Sequence, residues 1–323
     1  MFTQNSFPQQ LIAKFDFILL LFGVVLASLS PILIRLSETE ISPHAVIFDR
    51  YWIATMILGI WYGIKAVSST GGDRHSELKA SYTLKDIAFL LLEAVLSLAC
   101  FISWAWSLTQ TSVGNSNLLH NTTPIFATLG GWLFLHHRFD GRFLIGIALA
   151  VIGTAVIGII DAQGAIDAHL SGDALALLSA VFYAGGYLIT EPLRTKFSAI
   201  TILLWSCALG VLLMLPFMLF AGERIFPYSW FGWLTVISQT ILCQIAGLGL
   251  VFHSLKRFSS AFVFLILLLD PIIATVLASA IFAEQLSLLN WLAFGLILTG
   301  IYLAQSGQGA EKPDDNSVVA DNN

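Results

Sequence analysis

The stretch Phe258–Phe282 reads FSSAFVFLILLLDPIIATVLASAIF, and the only charged residue inside it is Asp270. An α-helix that crosses the hydrocarbon of a bilayer needs about 20 consecutive apolar residues, whereas the strands of a membrane barrel alternate over roughly ten residues. Backbone polar groups in hydrocarbon must also be hydrogen-bonded within the chain. The stretch therefore predicts a membrane-spanning helix.

Apolar stretches of the same kind recur along the chain. The predicted spans are Phe17–Leu36, Ala45–Ile64, Ile87–Leu108, Asn115–Leu135, Phe143–Ile160, Ala174–Thr190, Ala199–Phe220, Trp230–Phe252, Phe258–Phe282 and Leu288–Gln305. The composition agrees, since 57% of the residues are hydrophobic and 11% are charged, against about 25% charged residues in a soluble domain. The sequence predicts an all-α integral membrane protein of ten transmembrane helices.

Several classes of site are disfavoured by the same sequence. No basic patch interleaved with aromatic residues is present, so we predict no nucleic-acid partner. The three cysteines, Cys100, Cys207 and Cys243, lie in apolar stretches without the spacing of a zinc site or a disulfide framework. We therefore predict no metal, no cofactor and no catalytic residue, and no feature of the sequence predicts an oligomeric state.

The basic residues indicate the orientation of the predicted helices. If the N-terminus is cytoplasmic, one side of the membrane carries most of the 15 Lys and Arg residues: Lys14, Lys65, Arg74, Lys79, Lys85, Arg138, Arg142, Arg194, Lys196, Lys256, Arg257 and Lys312. The other side carries only Arg35 and Arg224. Because cytoplasmic loops are enriched in basic residues, we predict a multi-pass protein of the inner cell membrane with both termini in the cytoplasm.

The chain also contains a weak internal repeat. At an offset of 147 residues, Pro124 pairs with Pro271, Ile125 with Ile272, Ala127 with Ala274, Thr128 with Thr275 and Gly153 with Gly300. Upstream the offset is 157, and it pairs Asp16 with Asp173, Ala27 with Ala184 and Ser28 with Gly185. The predicted parts are an N-terminal segment, 1–16, two five-helix repeats, 17–160 and 161–306, and a disordered tail, 307–323. Because five is odd, the second repeat enters the membrane from the opposite side, an arrangement common in secondary transporters.

Two stretches of the chain carry a family resemblance. Thr111–Val156 contains TSVGN at 111–115 and PIFAT at 124–128, and Ser259–Leu303 contains DPIIA at 270–274 and EQLS at 284–287. Together they resemble the EamA-type repeat of the drug/metabolite transporter superfamily. The resemblance implies a secondary transporter of a small metabolite, such as an amino acid or a related polar compound, and implies export. One position departs from the family pattern, because the Glu that ends the fourth helix is Glu284 in the second half but His137 in the first.

Ionisable groups within the predicted spans are candidates for function, because each costs a few kcal/mol or more in hydrocarbon unless it faces a cavity or a partner. Arg50 could bind an anionic group of the substrate, or it could be a structural cation that pairs with Glu93 or Asp49. Glu93 could carry a proton, or it could be a fixed ion-pair partner. We predict that Asp270, near the middle of its span, is a coupling or substrate residue.

Polar and aromatic residues extend the candidate site. His120 adjoins Asn121 and could face a central cavity, or it could be a packing histidine. Pro124 and Pro271 each follow a polar residue and free a helix carbonyl, which predicts a hinge, with a static kink as the alternative. The residues that could line a pocket with stacking faces and amide groups are Trp104, Trp106, Tyr183, Tyr187, Trp205, Gln239 and Gln244.

The sequence therefore favours a secondary transporter that works by alternating access at a central site in the midplane. Its predicted partners are a small-molecule substrate and the surrounding lipids, with proton coupling through Glu93 or Asp270. A membrane-embedded enzyme is the first alternative, but it would need metal-ligand spacing or a nucleophile with a base, and neither is visible. A receptor or scaffold would account for ten helices but not for the paired halves.

Overall fold

The computed structural model describes residues 6–37, 39–68, 82–111, 113–161, 170–222, 224–273, 276–277 and 287–307. All secondary-structure elements in these ranges are helices. They are α1 (Ser6–Ala27), α2 (Ser30–Ser37), α3 (Pro43–Ser68), α4 (Leu84–Gln110), α5 (Val113–His120), α6 (Thr123–Phe134), α7 (Gly141–Asp161), α8 (Leu170–Leu193), α9 (Ala199–Ala221), α10 (Trp230–Ser238), a π-helix (Gln239–Gly247), α11 (Leu248–Ser254), α12 (Ser260–Leu267), α13 (270–273) and α14 (Leu288–Gln305).

The described helices include six stretches that are long and apolar enough to cross a membrane. They are Lys14–Ile34, Leu84–Ser107, Leu170–Leu193, Ala199–Phe220, Trp230–Ser254 and Leu288–Gln305. Two apolar helices are shorter, Gly141–Val156 and Ser260–Ile273. The all-helical membrane class is thus confirmed, while Glu284 and the predicted tail from 308 onward lie outside the described residues.

Three of the predicted spans are broken rather than continuous. The interruptions fall at residues 28–29, 121–122 and 268–269. In each case the second piece opens on a polar residue followed by proline: Ser30-Pro31, Thr123-Pro124 and Asp270-Pro271. Proline lacks the N–H that a helix interior needs but suits a first turn. The prolines therefore start new helical pieces, and the hinge expected at Pro124 and Pro271 stays a prediction.

The eighth predicted span is continuous but changes its winding. Residues Gln239–Gly247 form a π-helix between α10 and α11. A π-helix closes i→i+5 hydrogen bonds and occurs mostly in short pieces, frequently at functional sites. The segment contributes Gln239, Cys243 and Gln244 to the interior, where all three are buried.

Helices α7 and α14 pack antiparallel with their backbones in close approach. A Cβ on Gly300 would lie 2.5 Å from the carbonyl oxygen of Gly146, and one on Gly153 would lie 2.9 Å from the carbonyl oxygen of Ala293. The 147-residue offset relates Gly300 to Gly153 and Gly146 to Ala293, so the two contacts are equivalent under the internal repeat. Small residues permit this approach, as in many membrane helix pairs.

Two polar contacts tie α1 and the segment after α2 to the helix formed by α10, the π-helix and α11. In the middle of α1, Asp16 Oδ1 lies 3.8 Å from His253 Nε2. After α2, the Glu40 carboxylate accepts hydrogen bonds from the backbone N–H groups of Tyr228 and Ser229 at 3.2 and 3.1 Å, and from the Ser229 hydroxyl. We call these helices the α1–α11 pair.

Helix α8 is tied to α4 in the same manner. Near its start, the Thr111 hydroxyl donates to Asp173 Oδ1 at 2.7 Å. After its end, Lys196 Nζ forms an ion pair with Asp86, in the first turn of α4. Asp173 is the residue that the 157-residue offset pairs with Asp16, so both members of the predicted pair bind the third long helix of the other half. We call these helices the α4–α8 pair.

Asp16 of α1 and Gly307, which follows α14, lie at one end of the bundle. The contacts that connect them are Asp16 with His253, Arg194 with the His253 carbonyl, Glu191 with His137, and Asp140 with Gly307. We call this the basic end, since Arg138, Arg194, Lys196, Lys256 and Arg257 lie there or in the adjoining turns. Glu40, Thr111 and Asp173 belong to the opposite end.

Candidate functional site

A column of aromatic rings stands at the centre of the bundle, around Tyr183 of α8. The His120 ring stacks on Tyr183 with a centroid distance of 5.4 Å, and the Trp104 ring lies 6.1 Å from His120. The Tyr183 and Tyr187 hydroxyls are 3.4 Å apart, and Phe264 packs edge-on to Tyr183 at 4.9 Å. The break between α5 and α6 leaves His120 at a helix end beside this column.

His120 is held in a defined orientation. Its Nδ1 lies 2.8 Å from the Ser179 hydroxyl, which itself lies 2.6 Å from the carbonyl oxygen of Ala176. If the hydroxyl donates to that carbonyl, Nδ1 must carry the proton that it donates to Ser179, and Nε2 is left as an acceptor. The ring is half-buried, so it both packs and presents a polar atom, and Asn121 beside it is half-buried too.

Arg50 is buried against aromatic rings. Its guanidinium carbon lies 4.8 Å from the Phe101 centroid and 5.6 Å from that of Tyr51, and its Nε is buried without a hydrogen-bond partner. Within the described part of the chain, no carboxylate lies within ion-pair distance of Arg50. The alternative that it pairs with Glu93 or Asp49 is therefore not the arrangement observed. A ring supplies only part of what a buried cation loses with its water, about 2 kcal/mol or somewhat more when the pair is desolvated.

Glu93 is buried among hydroxyl groups. Its Oε1 accepts hydrogen bonds from Ser97 at 2.8 Å and from Ser206 at 3.3 Å, while Oε2 is buried without a partner. Among the residues with described positions, no cation forms an ion pair with it. Within the described residues Glu93 is therefore held by hydroxyl groups rather than by an ion pair, and its role as a proton carrier stays a prediction.

Asp270 begins the helical piece after the break in its span. Its Oδ1 is buried without a hydrogen-bond partner, and Ser28, at the break between α1 and α2, lies beside the carboxyl group. Two interrupted helices therefore meet at this carboxylate. Asp270 and Arg50 both lie within electrostatic range of Tyr183 and of Cys243.

Asp49 is separate from this group, as expected for a neighbour that points about 100° away from Arg50 on a helix. Its Oδ1 accepts a hydrogen bond from Trp52 Nε1 at 2.9 Å, and its Oδ2 is buried without a partner. The Trp52 ring packs against Phe226 at 5.8 Å. None of the described contacts joins Asp49 to the aromatic column.

Two further predicted residues are parts of the wall. Tyr187 packs against Phe264 at 4.4 Å and Phe252 at 5.4 Å, and it is almost fully buried. Gln244 Nε2 lies 3.4 Å from Cys207 Sγ, which joins the π-helix to α9. Tyr187 on α8 and Gln244 on the π-helix therefore pack against the side chains that surround the site.

His137 lies just after the end of α6 and is mostly buried. It follows His136, whose φ of 57° reverses the chain after α6, and its side chain is only 12% exposed. Its Nε2 lies 3.2 Å from Glu191 Oε1. Burial results because the left-handed turn folds His137 back onto α8, and that turn could not be read from the neighbouring residues alone.

Most of the predicted residues lie around the centre, and Asp49 lies apart from them. Those around the centre are Arg50, Glu93, Trp104, His120, Tyr187, Gln244 and Asp270, with Pro124 and Pro271 in the first turns of the adjoining helical pieces. Sequence reasoning missed Phe101 and Ser206, whose types are common in any membrane helix. It also missed Glu191, although a Glu-Pro at the end of an apolar stretch is a signal that could have been noticed. The described residues include no group of three His, Cys, Asp or Glu side chains that could share a metal ion.

A comparison with protein families matches this chain twice. The profile of the EamA-like transporter family covers residues 15–159 and again 170–305. The chain belongs to the EamA-like transporter family. The two matched segments each contain one of the interrupted helices that begin their second piece at Pro124 or Pro271.

Several relatives of this EamA-like chain carry transporter names. An uncharacterised transporter of Bacillus subtilis, YxxF, is 26% identical over 82% of this chain and 82% of its own length. An uncharacterised transporter of Archaeoglobus fulgidus is 23% identical over 86% of this chain and 92% of its own. An Escherichia coli protein named "Probable amino-acid metabolite efflux pump" is 25% identical over 59% of this chain and 66% of its own. A solved crystal structure with 15% identity superposes with a TM-score of 0.75 over 90% of this chain and 96% of that one, which indicates a shared fold.

Proposed function

We propose that this EamA-like chain is a secondary transporter that moves a small polar metabolite through a central site around Tyr183. The observation that carries the proposal is Arg50, a buried guanidinium that faces rings instead of a carboxylate. A charge retained in hydrocarbon without a protein partner is a functional site by default, and an anionic group of a substrate would complete it. Asp270, whose carboxyl oxygen is likewise unpartnered, offers a place for a substrate cation or a proton.

The proposed substrate class and the proposed direction of transport are taken from the names of relatives. One of them is named as an efflux pump for amino-acid metabolites, which supports an amino-acid-like substrate and export from the cell. The basic end faces the cytoplasm in this proposal, because loops rich in Lys and Arg stay on that side of the inner membrane. The lipid bilayer surrounds the bundle and is its second partner.

The architecture we propose has ten transmembrane helices in two inverted five-helix repeats, 17–160 and 161–306. Three observations support it: the family profile matches twice, α7 and α14 exchange equivalent contacts under the 147-residue offset, and Asp16 and Gly307 both lie at the basic end. Site residues near a repeat interface are typical of such transporters.

Alternating access would come from movement of the α1–α11 pair against the α4–α8 pair. Each pair is tied at both ends by polar contacts, so each moves as a unit, and the interrupted helices at Pro124 and Pro271 bend between them. Transport would be coupled to protons through Glu93 or Asp270, because neither carboxylate is held in an ion pair by a described residue. Closure of one side while the other opens requires no nucleotide.

Reconstitution into proteoliposomes tests this function. Proteoliposomes containing the purified protein would be loaded with a mixture of unlabelled amino acids and related metabolites. Counterflow of each labelled compound would then be measured with and without a pH gradient. A transporter accumulates label against an excess of the same compound without changing it chemically. Conversion of a compound without accumulation would instead support a membrane-embedded enzyme, and binding without counterflow would support a receptor.

A further inference from the structure

Two charged residues at the basic end of α8 grip the turn between α11 and α12. Glu191 lies in the last turn of α8 and Arg194 immediately follows the helix. The side chains are three positions apart, which places them on one face of a helical turn. Both are buried, with 2% and 6% of their surface exposed.

Arg194 holds the end of α11. Its Nε donates to the Phe252 carbonyl at 2.7 Å, its Nη2 donates to the His253 carbonyl at 3.3 Å, and its Nη1 donates to the Phe197 carbonyl at 2.6 Å. The last four carbonyls of a helix have no partner within the helix, and a cation there complements the helix dipole. The guanidinium therefore fits the C-terminus of α11 in both geometry and charge.

Glu191 holds the start of α12. Its Oε2 accepts the backbone N–H of Ser260 at 2.7 Å, and its Oε1 lies 3.2 Å from His137 Nε2. Ser260 is the first residue of α12, where the N–H groups lack partners within the helix and an anion is favoured. The turn at 255–259 is thus held by a cation at the helix before it and by an anion at the helix after it.

An apolar layer lies directly beneath this grip. Tyr187, one turn before Glu191 on α8, packs against Phe252 of α11 and Phe264 of α12. Helix α8 belongs to the α4–α8 pair, whereas α11 belongs to the α1–α11 pair. The contacts from Tyr187 to Arg194 therefore cross between the two units that move in the proposed cycle.

The corresponding position in the first half lacks these charges. The 157-residue offset relates Glu191 to Ile34 and Arg194 to Ser37. Neither residue carries a charge that could hold helix ends, and Ser37 instead donates to the Thr235 hydroxyl at 3.0 Å. At these two equivalent positions the described first half therefore has no charged pair, and the opposite end has instead the single Glu40 carboxylate at the start of α10.

We propose that Glu191 and Arg194 form the cytoplasmic gate of the transporter, a clasp on the α11–α12 turn that must release before the central site opens at the basic end. The inference rests on the proposed transport function for its direction and timing. Opening breaks the bonds of these two charges to the turn and leaves the freed helix ends without partners until water reaches them, so the clasp favours the state closed at the basic end. Substrate binding has to supply the difference between the two states.

The native thiol of Cys243 provides a test that does not depend on knowing the substrate. Cys243 is buried in the central region, and changing Cys100 and Cys207 to Ala leaves it as the single cysteine. Inside-out vesicles would be treated with a membrane-impermeant maleimide, and the labelling rate of Cys243 would be compared between this background and Arg194→Met. We expect labelling to rise about fivefold or more, the size of an ordinary coupling between two states.

Two further variants keep the result interpretable. Glu191→Gln retains an acceptor for Ser260 but loses the charge, so a smaller rise is expected. Lys196→Met removes a cation from the same turn that pairs with Asp86 of α4, within one unit, and should leave labelling unchanged. Size-exclusion profiles in detergent would identify variants that fail to fold.

Each outcome decides the inference. A rise confined to Arg194→Met and Glu191→Gln supports the clasp, and counterflow measured on the same proteins reports separately on transport. Unchanged labelling in both folded variants would overturn the clasp and leave the transport proposal standing. An equal rise in Lys196→Met would also overturn it, because general loosening of the basic end would then explain the effect.

Discussion

The carbonyl of Gly146 in α7 faces Gly300 in α14, and the relation is reciprocal: a Cβ on either glycine would lie 2.5 Å from the carbonyl oxygen of the other. Real Cβ atoms do not approach a backbone oxygen so closely. The two helices can therefore hold this spacing only while both residues remain glycine. This contact joins the last long helix of each matched segment.

Replacing Gly300 with Ala should destabilise the protein, because the added methyl group meets backbone atoms that cannot rotate away. Overpacking of this kind costs about 1–3 kcal/mol, and the loss should appear as a lower midpoint of thermal unfolding in detergent. Gly295 is the matched control, since it lies on α14 with no atom within 4 Å of an added Cβ. A midpoint equally lowered by Gly295→Ala would show that helix composition, not the α7–α14 contact, is responsible.

The helices were predictable from the sequence because their cause is local. Twenty apolar residues in hydrocarbon must satisfy their own backbone, so the length of a stretch nearly decides its conformation. The breaks were not predictable from length. Pro124 and Pro271 marked the correct places, but proline alone does not decide whether a helix kinks or a new one starts. The packing of neighbouring helices matters as well as local bonds, such as the one that the Thr123 hydroxyl donates to the His120 carbonyl at 2.5 Å.

The candidate site was predictable in its members but not in their pairing. Arg50, Glu93 and Asp270 were identified by the cost of charge in hydrocarbon, which is a property of position along the chain. The sequence left open whether Arg50 binds a substrate or pairs with a carboxylate, and its described neighbour in space is Phe101, on another helix. Contacts between segments that are distant in the chain are set by packing, so the partner of a buried residue on another helix cannot be predicted from one sequence alone.

Replacing Arg50 with Met should reduce transport by tenfold or more, since about 1.4 kcal/mol of lost binding corresponds to a factor of ten. Met preserves the apolar stem against Phe101 but removes the charge that an anionic substrate group would meet. Arg224 supplies a control, because it too lies over a ring, 5.2 Å from Tyr228, but outside the central site. Initial rates of counterflow would be compared, and a loss in Arg224→Met that equals the loss in Arg50→Met would contradict the assignment.

If Glu93 carries the proton, replacing it with Gln should abolish the dependence of transport on a pH gradient. If Asp270 carries the proton, Asp270→Asn should do the same. The amide keeps the size and the hydrogen-bonding capacity but cannot titrate. Asp49→Asn is the matched control, because Asp49 is equally buried but bonds Trp52, away from the aromatic column. The measurement is uptake into vesicles with and without an imposed gradient. A response that persists in both Glu93→Gln and Asp270→Asn removes proton coupling at these carboxylates.

Acid should loosen the start of α10 through Glu40. The Ser229 hydroxyl and the N–H groups of Tyr228 and Ser229 bind the Glu40 carboxylate, and these hydrogen bonds hold the pKa of Glu40 below its usual value of 4.5. Because the pKa is lowered in the folded state, the stabilisation is fully present above pH 4.5 and is lost as the pH falls through the lower folded value. Hydrogen exchange at 228–233 should therefore accelerate as the pH is lowered below that range, after correction for the intrinsic rate. In Glu40→Gln the same amides should be less protected at neutral pH and insensitive to acid, and a retained acid response would place the titrating group elsewhere.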